Sequence, residues 1–375
     1  MKICFLTSGH DPLDDRIFYH MAHSLNACGH DVEIVSSRSE FTELVDGIKL
    51  NCFNGEKLSK RAKTEQFIHK LSEFRPQVVI CSEPLPLYAA HKYSKKQKEK
   101  VRVIYDITEW YPSKKNLYHY NHSIRWYFFL KLLVFNIWVS RFADSYVFGE
   151  WYKSRPYRIL FPGKPFVFTS YYPDLKYVKH SPPLINEGIL RLSYSGKISY
   201  DKGFGYFRDT VNLLSEYLPD LRIMVKIIGW QDESFEKHNT DLRLLQTDNI
   251  SVIKYDRQPF NEYIDLIKDT DIFIDLRETD AENSRRLPVK LFYYAALGRP
   301  VIFSNLKAIR KEIDISSFGY LVNPENANEI VAILIDYLNN TDKYYSHCKS
   351  ARQISEERYN WKTIEDQFIS FITSW

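Results

Sequence analysis

A chain of 375 residues exceeds what one hydrophobic core normally organises, so two domains of roughly 150–200 residues are expected. Its 44% hydrophobic and 26% charged residues argue against disorder, and a net charge of +4 from 51 basic and 47 acidic residues argues against a nucleic-acid partner. Cys4, Cys28, Cys52, Cys81 and Cys348 are scattered, odd in number and without metal-site spacing, which fits a reducing cytoplasm and no bound metal.

The opening MKICFLTSGHD turns polar after a few apolar residues, so it reads as a first strand and not as a signal peptide; a cytoplasmic chain is expected. KICFLTS, FYHMAHSLNACG and DVEIVSS then form a βαβ opening, with Gly29 closing the helix. Val78–Cys81, Val103–Tyr105 and Ser145–Phe148 supply further strands. This alternation predicts a parallel sheet that binds ligands at its carboxyl ends. The basic run Lys92–Arg102 is either a solvated helix end or a contact to anionic lipid. Residues 124–142 hold many large apolar and aromatic side chains but also Arg125, Lys131 and Arg141, too charged for a span. They form either a buried wall or an interfacial helix that lays the N-terminal half on an inner-leaflet membrane surface, peripherally.

Periodicity fails from Pro162 to Gly188, which reads as an interdomain connection. A second βα series follows, with strands at Leu190–Ser195, Arg222–Ile228, Ile250–Tyr255, Ile272–Leu276, Pro300–Ser304 and Gly319–Val322. The fold class is therefore α/β, with two doubly wound Rossmann-like domains facing a cleft.

Two segments carry chemistry. In YSGKISYDKGFGYF (194–207) a strand meets a glycine turn, two lysines and a helix start; Gly196 permits close approach, and Lys197 and Lys202 can bracket a diphosphate. The same pattern also describes an ordinary βα turn with two exposed lysines. In LPVKLFYYAALGRPVIFS (287–304), Pro288 opens a helix and Gly298 closes it, placing Lys290 and Tyr293 beside the Gly196 turn if both belong to one sheet.

These segments resemble the retaining glycosyltransferases of family 4, which have the GT-B fold, and the similarity spans nearly the whole chain. His10, Asp14 or Asp15, Arg16 and Ile17 match the family's H-x-x-x-D-x-R-I opening; VIYDITEWYP resembles its Y-D-x-H-E segment. Gly196, Lys197, Lys202 and Gly203 resemble G-[RK]-x5-K-G, the donor-diphosphate grip, with four residues between the lysines. Pro288, Lys290, Phe292, Tyr294, Ala296, Gly298, Pro300, Val301 and Ile302 match its P-x-K-x-F-E-Y-M-A-x-G-x-P-V-I stretch.

The resemblance implies an acceptor-side domain over 1–170 and a nucleotide-sugar domain over 188–357. A helix over 358–375 is expected to pack back on the first domain through Trp361, Phe368 and Phe371. It also implies donor diphosphate on Gly196, Lys197 and Lys202, nucleotide or sugar on Pro288, Lys290 and Tyr293, and acceptor near Gly9, His10 and Arg16. Three departures stand out: Tyr293 and Arg285 occupy the places of the family's E-x7-E pair, Thr108 that of the His in D-x-H-E, and CSEPLP at 81–86 stands where many relatives have a His-containing loop. Glu278, Asp280 and Glu282 are expected to substitute from the preceding loop. Asp106, Glu109 and Glu282 are the catalytic candidates, although Asp106 and Glu109 also suit helix or turn caps.

The function implied is transfer of a sugar from a nucleoside-diphosphate donor to a glycan or lipid-linked glycan acceptor, with retention, in cell-surface polysaccharide biosynthesis. No cofactor or metal is expected, the sugar nucleotide being substrate. Two rivals share the fold: a catalytically impaired binding or scaffold subunit of a polysaccharide assembly complex, and a sugar-nucleotide epimerase.

Overall fold

The computed structural model describes residues 1–109, 111–113, 117, 120–182, 185, 188–231 and 247–374. Chain contacts divide it into two compact units, Met1–Tyr171 with Ile364–Trp375, and Tyr172–Thr363.

In the first unit, β1 (Lys2–Thr7), β2 (Asp31–Ser36), β3 (Thr42–Val45), β4 (Ile48–Asn51), β5 (Val78–Cys81), β6 (Arg102–Ile107), β7 (Ser145–Phe148) and β8 (Phe166–Phe168) form one sheet. Their order is β3-β4-β2-β1-β5-β6-β7-β8, parallel except for the β3/β4 hairpin. Apolar runs such as Val78–Cys81 and Ser145–Phe148 are buried throughout, as strands covered on both faces require. A π-wound segment, Asp15–Ala22, runs into α1 (His23–Ala27), and the crossovers use α2 (Lys60–Phe74), α3 (Pro84–Ser94), α4 (His122–Ser140) and α5 (Trp151–Leu160). The chain leaves β1 toward β2 on one side and later lays β5 on the other. The carboxyl ends of β1 and β5 therefore flank a topological switch point, where the backbone parts and leaves a crevice.

Two elements depart from the sequence reading. The β3/β4 hairpin turns on Asp46 (φ 50°) and Gly47 (φ 80°), both left-handed as a two-residue turn needs; β3 is exposed, and only the Asp-Gly pair and the short alternation of Ile48–Asn51 mark the hairpin in the sequence. β8 lies inside the stretch read as a connection; Val167 buries against the sheet while Phe166 stays open, so only pairing with β7 reveals it as a strand.

The second unit is an all-parallel sheet of β9 (Ile189–Ser195), β10 (Arg222–Ile228), β11 (Ile250–Tyr255), β12 (Ile272–Asp275), β13 (Val301–Ser304) and β14 (Gly319–Val322), ordered β11-β10-β9-β12-β13-β14. Its helices include α6 (Phe204–Tyr217), α7 (Phe260–Ile267), α8 (Lys290–Ala296), α9 (Lys307–Glu312), α10 (Ala327–Asn339) and α11 (Thr341–Glu357). Leu192, Phe204, Phe207, Val211, Ile274 and Leu334 meet in one buried core between sheet and helices. Here the switch point lies between β9 and β12. Arg299 is fully buried, and its guanidinium is spent on the carbonyls of Thr270 (2.7 Å), Ser181 (2.7 Å), Pro182 (2.8 Å) and Lys268 (3.1 Å).

The last helix, α12 (Lys362–Thr373), begins at the division between the units. Trp361, read from the sequence as an anchor on the first domain, belongs instead to the second unit: it is 1% exposed and its N–H donates to Pro173 O at 2.8 Å. Phe368 and Ile372 are fully buried. Helix C-termini leave carbonyls without partners, and Arg102 on β6 supplies them: its Nη1 donates to Phe371 O (2.7 Å), Ile372 O (3.1 Å) and Ser374 O (3.1 Å). Among the described residues no helix is long and apolar enough to cross a membrane.

Arg102→Met removes this cap. Urea unfolding should show a loss of about 1–3 kcal/mol, and amide exchange over 364–374 should accelerate while that of β9–β14 does not.

Candidate functional site

In the second unit, chemistry gathers where the loops after β9, β10 and β12 meet. Gly196 (φ 110°) and Gly203 (φ 80°) bound the turn after β9. A Cβ on Gly203 would lie 2.0 Å from Leu276 O, and one on Gly229 would lie 1.9 Å from Gly196 O, so three backbones pass at contact distance. The Tyr194 hydroxyl, on β9, donates to Lys197 O (2.9 Å) and Lys202 O (3.1 Å) and so ties both arms of the turn to the strand.

Around this turn stand Lys197, Lys202, Arg277, Arg286 and Lys290. Asp275, the last residue of β12, accepts both arms of Arg277 (2.8 and 2.6 Å) and lies 3.4 Å from Lys290 Nζ, which also donates to Ser195 O. Burial alone would raise the Asp275 carboxyl; Arg277 and Lys290 instead hold it well below the usual carboxylate range. Lys202 reaches Asn283 Oδ1 (3.2 Å) and Asp201 (3.3 Å). Burial, then Arg277, lowers its pKa despite Asp201; burial and Arg277 likewise outweigh Asp275 at Lys290. Crowded, half-dry lysines of this kind favour an added anion, because a phosphate relieves their mutual repulsion and replaces lost water.

Not every residue singled out from the sequence reaches that turn. Pro288 is buried ahead of α8 and serves as its rigid entry. Tyr293 is 3% exposed and packs on Phe260 at 5.6 Å, so it sits in the packing of α8 and not as an open ribose partner; Tyr294 stacks on Phe273 at 3.7 Å. Asp280 is spent on the N–H groups of Glu282 (2.8 Å) and Asn283 (2.9 Å), and Glu282 pairs with Arg286 at 2.5 Å. The loop acids expected to substitute for the absent pair are thus largely engaged with their own loop.

In the first unit, residues converge at the β1/β5 switch point. Glu83, just past β5, accepts from Thr7 Oγ1 (2.9 Å) and Gly9 N (3.0 Å) through one oxygen and from Ser8 N (2.7 Å) through the other. It was not singled out from the sequence; its mark there is an acidic residue between a strand end and Pro84, the first position of α3. His10 joins Asp14 (2.9 Å) through Nδ1 and Thr108 Oγ1 (3.3 Å) through Nε2. Burial opposes charge on its ring, but Asp14, by charge and hydrogen bond, and then Glu83 and Glu109 push its pKa up to about 10. At neutral pH His10 is an imidazolium whose ring nitrogens are engaged by Asp14 and Thr108: an electrostatic partner for an oxygen-rich ligand, not a general base.

Asp106 and Arg16 change roles. Asp106 is 1% exposed, and its oxygens take Arg16 Nη2 (2.9 Å) and Nε (3.2 Å), while Arg16 also donates to Thr169 Oγ1 (2.8 Å) and Thr169 O (2.5 Å). This buried fork binds the start of the opening helix to β6 and to the end of β8, so both side chains serve the interior and neither stands as an open ligand contact. Glu109 is exposed near His10, and Trp110 lies outside the described residues. Among the described residues no cluster of three or more His, Cys, Asp or Glu could hold a metal ion.

Residues 190–340 match the family model described as Glycosyl transferases group 1. No curated protein matches the chain. Among solved structures, sucrose-phosphate synthase (tll1590) from Thermosynechococcus elongatus is similar at 13% identity, over 99% of this chain and 98% of that one, with a TM-score of 0.73. Anabaena Alr3699/HepE, solved in complex with UDP and glucose, is similar at 14% identity over all of both chains (TM-score 0.70). WaaG, a glycosyltransferase involved in lipopolysaccharide biosynthesis, is similar at 14% identity over all of both chains (TM-score 0.69). At such identities the likeness is one of fold, the two-domain GT-B type.

Two consequences of the first-unit geometry are measurable. Asp106→Ala strands the Arg16 guanidinium in the interior and should cost about 3–5 kcal/mol in urea unfolding. His10 has a folded pKa raised above its unfolded value near 6.5, so its charge stabilises fully below about pH 6.5 and loses that contribution as pH rises through about 10. The stability difference between the native chain and His10→Ala should therefore be largest in mild acid and shrink steadily up to pH 10.

Proposed function

We propose that this chain transfers a sugar from a nucleoside-diphosphate donor to a glycan or lipid-linked glycan acceptor, with retention of anomeric configuration, in cell-surface polysaccharide biosynthesis. The observation that carries the reading is the cationic turn at the β9/β12 switch point: Lys197 and Lys202 flank Asp201 in the turn after Gly196 (φ 110°), with Arg277 and Lys290 against it. The family-model match over that unit supports sugar-nucleotide chemistry. Its fold relative Alr3699/HepE was solved with UDP and glucose, which suggests the donor class to test first.

In the proposed reaction the bond between anomeric carbon and diphosphate oxygen breaks, and the diphosphate leaves with the electron pair. Lys197 and Lys202 offset the charge that develops on it. The acceptor hydroxyl forms the new bond and its proton passes to the departing diphosphate. On the first unit the acceptor side is proposed around Gly9, His10 and Glu109, where the His10 imidazolium offers positive charge to a hydroxyl-rich ligand. This chemistry calls for no resident cofactor or metal.

A second reading, a binding or scaffold subunit that has lost turnover, draws on the buried Tyr293 and the exposed Arg285, which stand where relatives carry their acidic pair. Slow hydrolysis of a sugar nucleotide with release of nucleoside diphosphate supports the transferase; tight binding without any turnover supports the scaffold.

Titration calorimetry against UDP, GDP and ADP should identify one nucleotide whose affinity falls on the order of 100-fold in the folded Lys197→Ala/Lys202→Ala variant. Unchanged affinity would overturn the phosphate assignment. Because Lys202 and Lys290 are lowered in the free protein, raising the pH should remove their protons before ordinary lysines lose theirs, and affinity should decline there.

A further inference from the structure

A crossover helix buries one stripe against its sheet and turns a polar stripe to water. Helix α4 does the first but not the second. Asn136 and Val139 are buried, yet Tyr127 (61% exposed), Leu130 (41%), Val134 (63%) and Trp138 (39%) follow one another at spacings of three and four residues along the outer side. That spacing sets them in a single line along a helix about 28 Å long. Trp126, 67% exposed, stacks on Phe129 beside that line, and Ile124 is 45% exposed.

The stripe has a cationic border. Trp138 packs on Tyr88 of α3 (5.6 Å) and on Phe142 (4.9 Å). Lys92 Nζ lies 4.8 Å over the Tyr88 ring, and the Arg141 guanidinium 5.3 Å over Phe142. Just beyond, Lys95, Lys96 and Lys98 are exposed at the end of α3, and Lys131 is exposed on α4 itself.

We infer that the outer face of α4, with the basic end of α3, docks on an anionic lipid surface, α4 lying in the interface without crossing it. Aromatic rings with one polar edge settle at the boundary of headgroups and acyl chains, and lysines on long stems reach the headgroup phosphates. The charge selects lipid over a second copy of the chain, which would set the same lysine border against itself. This inference does not rest on the sugar-transfer reading and stands or falls without it.

Flotation with phosphatidylcholine vesicles, with and without phosphatidylglycerol, tests it on the full chain. The protein should float with the anionic vesicles and much less with the neutral ones. Lys92→Glu/Lys95→Glu/Lys96→Glu should weaken anionic partitioning on the order of 100-fold, and Trp126→Glu/Leu130→Glu/Val134→Glu should abolish flotation on both, each variant first shown folded by its melting curve. Quenching of native tryptophan fluorescence by brominated-chain lipids checks insertion without any variant. Failure to float with anionic vesicles, flotation unchanged in both folded variants, or a native dimer that the α4 variant dissociates into monomers would overturn the inference.

Discussion

In the second unit everything near the candidate site depends on backbones that touch. Leu276 O occupies the space a Cβ on Gly203 would take, and Gly196 O the space of one on Gly229. No side chain separates these crossings, so the loops after β9, β10 and β12 form one piece. Two effects follow. Asp275 and Arg277, at the end of β12, are brought within reach of Lys290 at the start of α8, and Lys202 is carried to the edge of the same group. The cations are then held close before any ligand arrives, and the free protein already shows it in lowered lysine pKa values, caused first by burial and then by the neighbouring Arg277. An arrangement whose reorganisation is complete in advance binds and stabilises a developing negative charge most effectively.

The two units repeat one topology with opposite chemistry at the switch point. In the second, cations surround the first loop. In the first, that loop's N–H groups at Ser8 and Gly9 are already taken by the Glu83 carboxylate, which occupies the position an anionic ligand would otherwise claim. The loop is left with an imidazolium, His10, held by Asp14 and facing Thr108. A parallel sheet dictates where a crevice opens; the loop residues decide which charge it accepts.

The first unit also shows how one buried ion pair can serve architecture. The Arg16 fork joins the start of the opening helix to β6 through Asp106 and to the end of β8 through Thr169. Nearby, Lys153 and the Tyr171 hydroxyl both donate to Thr108 O, and the Tyr171 ring fills the space left by Gly149. Several strand ends are thereby locked into one polar cluster, while α4, one crossover along, keeps an apolar outer stripe exposed among the described residues.

The α/β alternation, the βαβ opening, the strands at 222–228, 250–255 and 319–322, and the glycine-and-lysine turn at 194–207 were legible in the sequence, because each is written in local periodicity or in a residue with special backbone freedom. Residue roles were less so. Asp106 and Arg16 read as ligand contacts and proved to be each other's partners across 90 residues; Tyr293 read as a ribose contact and is covered by Phe260; Glu83 stands in a segment marked only as a departure from the family pattern and organises a whole loop. The apolar character of residues 124–142 was plain, but not which of its sides faces water. The sequence by itself determined the elements and their order, since these follow from hydrogen bonding and burial between near neighbours in the chain. Only the tertiary structure decided which charges meet and which stay exposed, because an ion pair's worth and a side chain's burial depend on distances set by strands far apart in sequence.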